Sequence, residues 1–284
     1  MRIRAPTQRR GSLPPIQGSG TCPSGAPIQR KRDVDERALP ITEHLAELRR
    51  RIGIVIGAIV IGAILSYNFS EQIFSYLLSP ATEALTAKGS KLQAIAPTEI
   101  FIAYIKCALL AGFVLTLPVS FWQLWAFVAP GLYDTEKRAI FPFVIASSVL
   151  FVTGAFFGHT FVFPVMFQFF NSWDNEWVVS AWTLNEVFGL TTQMVLAFGV
   201  IFELPIFVLF LSLSGIVTAR QLFAGTRYAI VASFVVGAIL TPPDVVSQVM
   251  MSVPMVILYL LGVAMAWMFE PKPSKTTALQ KTEG

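Results

Sequence analysis

The stretch FGVIFELPIF, from Phe198 to Phe207, has one charged residue, Glu203, among nine apolar, glycine or proline residues. The meaning of that carboxylate depends on whether the stretch lies in a soluble core or in a lipid bilayer. The chain has 284 residues, of which 54% are hydrophobic and 13% charged, and its mean hydropathy is +0.64. Since soluble domains carry about 25% charged residues, we predict a polytopic membrane protein rather than a soluble enzyme.

Six apolar segments predict an all-α membrane protein with six transmembrane helices. They are residues 52–67, 100–128, 139–162, 187–213, 226–240 and 245–268. At about 1.5 Å per residue, most of them can cross a hydrocarbon core of about 30 Å. The fifth segment reaches only about 22 Å and would require a thinner bilayer around it.

The basic residues predict the orientation, because loops rich in Lys and Arg stay in the cytoplasm. With six spans, both termini and the 2–3 and 4–5 loops share one side. That side carries the basic tail and Arg49, Arg50, Arg51, Lys137, Arg138, Arg220, Arg227, Lys272 and Lys275. The other side carries Lys88 and Lys91, with Lys106 inside a span close to it. Both termini are therefore predicted to be cytoplasmic, and the net charge of +4 is assigned to these loops rather than to nucleic-acid binding.

Three regions are predicted along the chain: a disordered basic cytoplasmic extension (1–40), a membrane domain (41–269) and a disordered cytoplasmic tail (270–284). The first 32 residues hold seven Lys or Arg and no acidic residue. A transit peptide and a later start near Val34 are the alternatives for this extension. In the first outer connection, 68–97, a short amphipathic helix is expected to lie on the membrane surface and to stop at Pro80.

The chain carries no nucleotide-binding, serine-hydrolase, zinc-protease or dinucleotide-binding motif. Cys22 lies in a polar tail and Cys107 in an apolar segment, so no disulfide is expected. His44 and His159 are far apart in sequence, which argues against a metal site. We therefore predict a protein that is not an enzyme and has no cofactor.

Three polar clusters flank the spans. In ITEHLAELRRR (41–51), Thr42 can cap a helix and Glu47 can pair with Arg50 or Arg51. In WAFVAPGLYDTEKR (125–138), Glu136 can complement the dipole of the third span, which Asp134 or Thr135 can cap. In ILTPPDVVSQ (239–248), Asp244 is predicted to cap the sixth span, and Gln248 lies one turn further into the membrane.

Glu203 is predicted to lie about 15 Å from the cytoplasmic end of the fourth span, at about 1.5 Å per residue. A charge at this depth costs several kcal/mol, and such acids usually face a cavity or a partner. Pro205 removes the amide that would bond the carbonyl of Ile201. An internal hydrogen bond from a protonated Glu203 is the structural alternative.

Together these stretches resemble one family, the twin-arginine translocase C subunit, TatC. HLAELRRR is similar to the family's H-L-x-E-L-R-x-R helix, and WAFVAPGLYDTEKR to its W-x-F-x-x-P-x-L-Y-x-x-E-x-R loop. FGVIFELP and LTPPDVVSQ resemble its fourth-span and 5–6 turn motifs. The resemblance covers about residues 41–269, and the long N-terminal tail departs from the family pattern.

The resemblance implies a concave bundle that binds twin-arginine signal peptides and works with single-span TatA and TatB subunits. It implies transport of folded proteins across the cell inner membrane, driven by the proton gradient, by a multi-copy complex. The residues expected to bind the signal peptide are Glu47, Glu136, Arg49, Phe127 and Tyr133. Those expected to contact partner spans are Glu203, Gln248 and Asp244. The structural prolines are Pro80, Pro130, Pro205, Pro242 and Pro243.

Two other classes of function compete with this interpretation. An ion-coupled transporter could use Glu203 as its proton carrier, but it predicts inverted repeats with paired broken helices. The Pro-Pro break after the fifth span has no counterpart in the first three. A membrane-embedded enzyme needs a nucleophile and base, or a metal cluster, near the midplane, and the span around Glu203 contains no His, Cys or Asp.

Overall fold

The computed structural model describes residues 32–86, 89–128, 140–177 and 180–269, and it gives the backbone alone for 32–44 and 140. Within these residues the chain is all-helical, as predicted. The helices are α1 (Arg32–Ser66), α2 (Ser70–Thr86), α3 (Thr98–Leu115), α4 (Leu117–Val128), α5 (Ile140–Phe157), α6 (Phe163–Asn171), α7 (Leu184–Ile201), α8 (Leu204–Leu213), α9 (Ala219–Ala224), α10 (Thr226–Leu240) and α11 (Val245–Phe269). A 3₁₀ turn (Tyr67–Phe69) joins α1 to α2, and a π-helical turn (Gly158–Val162) joins α5 to α6.

Five helical stretches of the described chain are long and apolar enough to cross a membrane. They are Leu45–Thr86, Thr98–Leu115, Phe141–Asn171, Leu184–Leu213 and Val245–Phe269. Two apolar helices are shorter, Leu117–Val128 and Thr226–Leu240. The second of these is α10, which coincides with the predicted fifth segment and has 15 residues. The sixth span therefore depends on α10 and stays a prediction.

The first helix begins earlier than its sequence signals indicate. α1 starts at Arg32 and continues through Thr42 to Ser66, so the prediction that Thr42 caps the helix is wrong. A continuous helix satisfies the amides at this position with backbone carbonyls, and no side-chain cap is required. Residues 1–31 and 270–284 lie outside the described residues, and the predicted disorder of both ends stays a prediction.

The prediction that Pro80 stops a short surface helix is wrong. α2 continues through Pro80 to Thr86, and Pro80 itself is buried. The helix packs on α3, α6 and α7, and its Leu77 and Leu78 are buried. Asn171 at the end of α6 also donates to the carbonyl of Ala84 over 2.7 Å. The apolar face of α2 is thus covered by protein, which explains its hydrophobic spacing without an interfacial position.

Two of the predicted spans are each built from two helices. The second predicted span breaks at Thr116, whose hydroxyl donates to the carbonyl of Gly112 over 2.8 Å. The fourth breaks at Phe202 and Glu203, and Pro205 lies in the first turn of α8. Proline is tolerated in a first helical turn because the amide it lacks has no helical partner there. Glu203 therefore occupies a helix junction rather than a helix interior.

The main buried cluster is formed by α2, α3, α6, α7 and α11. Its fully buried members include Cys107, Phe163, Met194 and Met251. A smaller cluster lies between α4, α5 and α8. In the segment before α3, the backbone amide of Gln93 donates to the carbonyl of Trp182 over 3.0 Å. The backbone carbonyl of Gln93 accepts from the amide of Leu184 over 2.8 Å. This pairing places the segment before α3 beside the start of α7, so α3 and α7 begin on the same side.

Candidate functional site

The predicted signal-binding residues lie partly within the described chain. Glu47 on α1 is half-buried, and Arg49 is exposed. Phe127 is half-buried in the last turn of α4. Pro130, Tyr133 and Glu136 lie outside the described residues, and so do the predicted caps of the third span. The pairing of two carboxylates at this site therefore stays a prediction.

Arg51 joins the first motif helix to α4. Its Nη1 donates to the carbonyl oxygen of Gln123 over 3.2 Å. Gln123 lies four residues before Phe127, in the helix that leads into the second motif. A guanidinium bond to a backbone carbonyl is charge-assisted and stronger than a neutral bond. The contact holds the Arg51 turn of α1 against the helix that precedes the segment containing Glu136.

Glu203 lies at the end of a buried polar chain. Ser147 of α5 is completely buried, and its hydroxyl lies near the Glu203 carboxyl. The indole Nε1 of Trp125 donates to the same Ser147 oxygen over 3.0 Å. Since an indole N–H can only donate, the hydrogen of the serine hydroxyl is left for the carboxyl. The three side chains connect α4, α5 and the α7–α8 junction.

One oxygen of this carboxyl has no hydrogen-bond partner among the described residues. Glu203 Oε1 is buried and makes no hydrogen bond within the described residues. The surroundings of these three polar side chains are aromatic, since the Trp125 ring packs on Phe143 and Phe210 with centroid distances of 5.2 and 5.1 Å. A buried acceptor without a partner typically costs about 1–3 kcal/mol. The unpaired oxygen can therefore gain free energy from any donor that reaches it.

The turn between α10 and α11 contains the other two predicted polar residues. Asp244 Oδ1 accepts from the amide of Ser247 over 2.7 Å, which confirms the predicted cap of the last helix. Gln248 Nε2 donates to the carbonyl of Phe234 on α10 over 3.0 Å. Asp244 Oδ2 is buried without a partner in the described part of the chain. Gln248 thus ties α11 to α10, and no contact among the described residues joins it or Asp244 to Glu203.

Sequence reasoning missed two residues of this arrangement. Trp125 was noted only as a member of a motif, and Ser147 was not singled out. The available signal was a pair of adjacent serines, Ser147 and Ser148, inside a largely apolar helix. Ser148 bonds the carbonyl of Val144 in its own helix over 2.8 Å, whereas Ser147 bonds across helices. Composition alone does not distinguish these two cases.

Comparisons with known proteins agree on one family. The family model "Sec-independent protein translocase protein (TatC)" matches residues 43–254. A TatC from Magnetococcus marinus is 39% identical over 251 residues, which cover 88% of this chain and 92% of that protein. A TatC from Helicobacter pylori is 37% identical over 230 residues, covering 81% and 90%. A crystal structure of a twin-arginine translocase receptor, TatC, superimposes with a TM-score of 0.69 at 33% identity, covering 79% of this chain and 98% of the other.

Proposed function

Because the chain belongs to the TatC family and is the receptor subunit of the twin-arginine translocase, we propose that it binds signal peptides carrying two consecutive arginines through Glu47 and Glu136. It is a multi-pass membrane protein of protein transport and not an enzyme. With six spans and both termini in the cytoplasm, as proposed, both acids lie on the cytoplasmic side, where signal peptides arrive.

The chemistry of the two acids fits this ligand. A guanidinium presents a planar fork of donors that a carboxylate can accept in a bidentate manner, and the ammonium of lysine cannot reproduce this geometry. Two acids can therefore select an arginine pair over a lysine pair. Arg49, Phe127 and Tyr133 shape the surrounding surface and contact the residues next to the arginines.

The contact between Arg51 and Gln123 is the structural observation that carries this proposal. It holds the Arg51 turn of α1 against α4. Both residues lie within the region matched by the family model, and α4 leads into the segment that contains Glu136. The end of the first motif is thus hydrogen-bonded to the helix that leads into the second motif.

Glu203, Gln248 and Asp244 are proposed to contact the single spans of TatA-like and TatB-like subunits. Glu203 Oε1 and Asp244 Oδ2 have no hydrogen-bond partner among the described residues. They support this role because each can accept a hydrogen bond from a polar side chain of a partner that displaces the side chains covering it. Interhelical hydrogen bonds of this kind join spans within membranes. Transport of folded cargo would then use the proton motive force across the inner membrane, with several copies of the receptor in one complex.

Cross-linking of a labelled twin-arginine signal peptide to membranes tests the recognition site. A charge-assisted hydrogen bond is worth about 1.5–3 kcal/mol. Glu47→Ala or Glu136→Ala should therefore weaken capture about 10- to 150-fold at equal expression. Glu71→Ala, which removes an exposed acid from α2, is the matched control and should have no effect. A lysine-lysine signal gives the background.

The double variant adds a second criterion. If both acids bind one arginine pair, their combined loss should cost less than the sum of the single losses. Parental capture by both single variants would show that the arginines are recognised elsewhere on the cytoplasmic surface.

A further inference from the structure

Lys106 is a cation in a membrane-spanning helix to which the signal-peptide site gives no role. It is exposed on α3, eight residues after Thr98, which is about 12 Å along the helix. Its Nζ lies 6.0 Å from the centroid of the Phe188 ring on α7. Within the described part of the chain, Lys106 makes this cation–π contact and forms no ion pair with a carboxylate.

The ammonium of Lys106 is directed toward a membrane surface. Phe188 lies only four residues after the start of α7, about 6 Å along that helix, and α3 and α7 begin on the same side. The Phe188 ring is therefore closer to the starts of the two helices than the Lys106 backbone is. Because the ammonium lies over that ring, the lysine side chain extends toward the membrane surface at which both helices begin. Long basic side chains in spans behave in this way, since the charge is costly within the hydrocarbon.

Below Lys106 an apolar groove runs between α3 and α7. It has a volume of about 590 Å³, and its walls include Leu109, Phe113, Gly189 and Leu196. This volume falls within the range of about 300–1,000 Å³ that is typical of small-molecule sites. Phe188 forms the wall beside the ammonium and is itself fixed by stacking on Phe74, with a centroid distance of 6.3 Å.

The groove continues along α7. Gln193 and Leu196 also line a second groove of about 390 Å³, which reaches Leu204 and Met255. From Gly189 to Leu204 the two grooves follow about 22 Å of helix at 1.5 Å per residue. One bilayer leaflet contributes about 15 Å, half of a core of about 30 Å. The combined groove is therefore long enough for an extended acyl chain.

We propose that this groove binds an anionic phospholipid, with its phosphate on the Lys106 ammonium and one acyl chain along α7. The charged, polar and apolar groups follow one another along the groove in the same order as the phosphate, ester and acyl chain of such a lipid. A cation lies at the interface and apolar walls lie below it. Between them is the Gln193 amide, whose Nε2 uses one N–H on the Leu240 carbonyl at 3.1 Å. Its second N–H remains to donate to an ester carbonyl.

The same features argue for a lipid rather than a protein span. A partner helix would need an acidic residue at the level of Lys106 and would cover a wider surface than the groove. The site instead offers one cation, one amide, the hydroxyl of Thr192 and apolar walls. Phosphate recognition by lysine needs only a point charge, and basic residues near a membrane surface attract anionic lipids.

Native mass spectrometry of the full-length chain, purified in detergent, tests the proposal. The protein is incubated with equal amounts of phosphatidylglycerol and phosphatidylcholine that carry identical acyl chains. The parent should retain phosphatidylglycerol preferentially. Lys106→Gln should lower the ratio of retained phosphatidylglycerol to phosphatidylcholine about fivefold, the factor that corresponds to about 1 kcal/mol for an exposed ion pair. Lys106→Arg should keep the ratio high.

Lys91→Gln is the matched control for charge, because Lys91 is exposed near the same side and lies outside the groove. It should leave the ratio unchanged. Gly189→Leu tests occupancy of the groove. A Cβ on Gly189 would meet no atom within 4 Å, so the larger side chain can enter the groove without displacing the protein. It should reduce retention of both lipids.

Gly57→Leu, at another glycine with open space around its Cβ position, controls for a general effect of added bulk, and it should retain lipid normally. The proposal is overturned if Lys106→Gln leaves the ratio unchanged or if Lys91→Gln lowers it equally. Normal lipid retention by Gly189→Leu would also overturn it. So would equal retention of the two lipids by the parent, which would leave a partner span as the occupant.

Discussion

His159 Nε2 lies 2.9 Å from the carbonyl oxygen of Tyr76, the backbone acceptor that Pro80 leaves without its helical amide. A carbonyl only accepts, so Nε2 carries a hydrogen. The imidazole also stacks on the Tyr76 ring with a centroid distance of 4.5 Å. Ser79 donates to the same carbonyl over 2.9 Å. A buried histidine on the π-helical turn thus supplies the Tyr76 carbonyl with a donor in place of the amide that Pro80 lacks.

His159→Phe should destabilise the protein by about 0.5–1.5 kcal/mol, because the aromatic stacking is kept while the Tyr76 carbonyl loses one of its two donors and keeps Ser79. In a Pro80→Ala background the same substitution should cost less, since the restored amide can bond the Tyr76 carbonyl. Thermal unfolding in detergent of the parent, the two single variants and the double variant measures this coupling. Additive losses would show that His159 stabilises the fold by packing alone.

A second prediction concerns Gly62 of α1 and Gly112 of α3, whose backbones are in close contact. A Cβ on Gly112 would lie 2.3 Å from the backbone nitrogen of Ala63, and one on Gly62 would lie 2.8 Å from the carbonyl oxygen of Gly112. Small residues permit such close helix crossings in membranes. Gly112→Ala should destabilise by about 1–3 kcal/mol, the usual cost of overpacking. The measurement is the fraction of protein that remains monodisperse after heating.

Gly57→Ala is the control for that experiment, because a Cβ at Gly57 on α1 would meet no atom within 4 Å. It should be neutral or slightly stabilising, since alanine is the better helix former. A Gly112→Ala variant as heat-resistant as Gly57→Ala would contradict the close crossing.

A third prediction concerns the Glu203 chain. Glu203→Ala should leave insertion and signal-peptide binding intact but impair transport or contact with partner spans. Glu203→Gln should be milder because the amide still forms hydrogen bonds. Ser147→Ala should lower transport about 2- to 10-fold if the neutral hydrogen bond that it removes, worth about 0.5–1.5 kcal/mol, acts in the transport step. Uptake of a folded cargo by membrane vesicles provides the rate.

Ser148→Ala separates this role from a general effect of removing a serine from α5. Among the described contacts, the Ser148 hydroxyl bonds only the Val144 carbonyl of its own helix. Transport by Ser148→Ala should therefore stay at the parental rate. A normal rate for Glu203→Ala would mean that the acid is tolerated in the span without acting in transport.

The fourth prediction is the orientation in the membrane. In a Cys22→Ser background, single cysteines at Ser90 and Ser172 should react with an impermeant thiol reagent added to intact cells. A cysteine at Ile216, which is 69% exposed between α8 and α9, should react only after the cells are opened. The remaining native thiol, Cys107, is completely buried and should contribute little signal. Labelling at Ile216 in intact cells would contradict six spans with cytoplasmic termini.

The sequence by itself determined the features that depend on composition or on neighbouring residues. The apolar segments predicted the helical class, and the segment 226–240 coincides with α10. Asp244 was predicted to cap the last helix from its position alone, since a cap bonds an amide only three residues away. The four motifs identified the family because they depend on spacing along the chain.

The tertiary structure alone decided which side chains meet. His159 bonds a carbonyl 83 positions away, Trp125 bonds Ser147 across helices, and Lys106 lies over Phe188. In water, the buried face of a helix is apolar and the outer face polar, so periodicity identifies the face that packs. In a bilayer both faces are apolar, and association depends on close packing and a few hydrogen bonds. The sequence pattern therefore located the helices, and only their packing could show that Pro80 is compensated by His159 and that Glu203 adjoins Ser147.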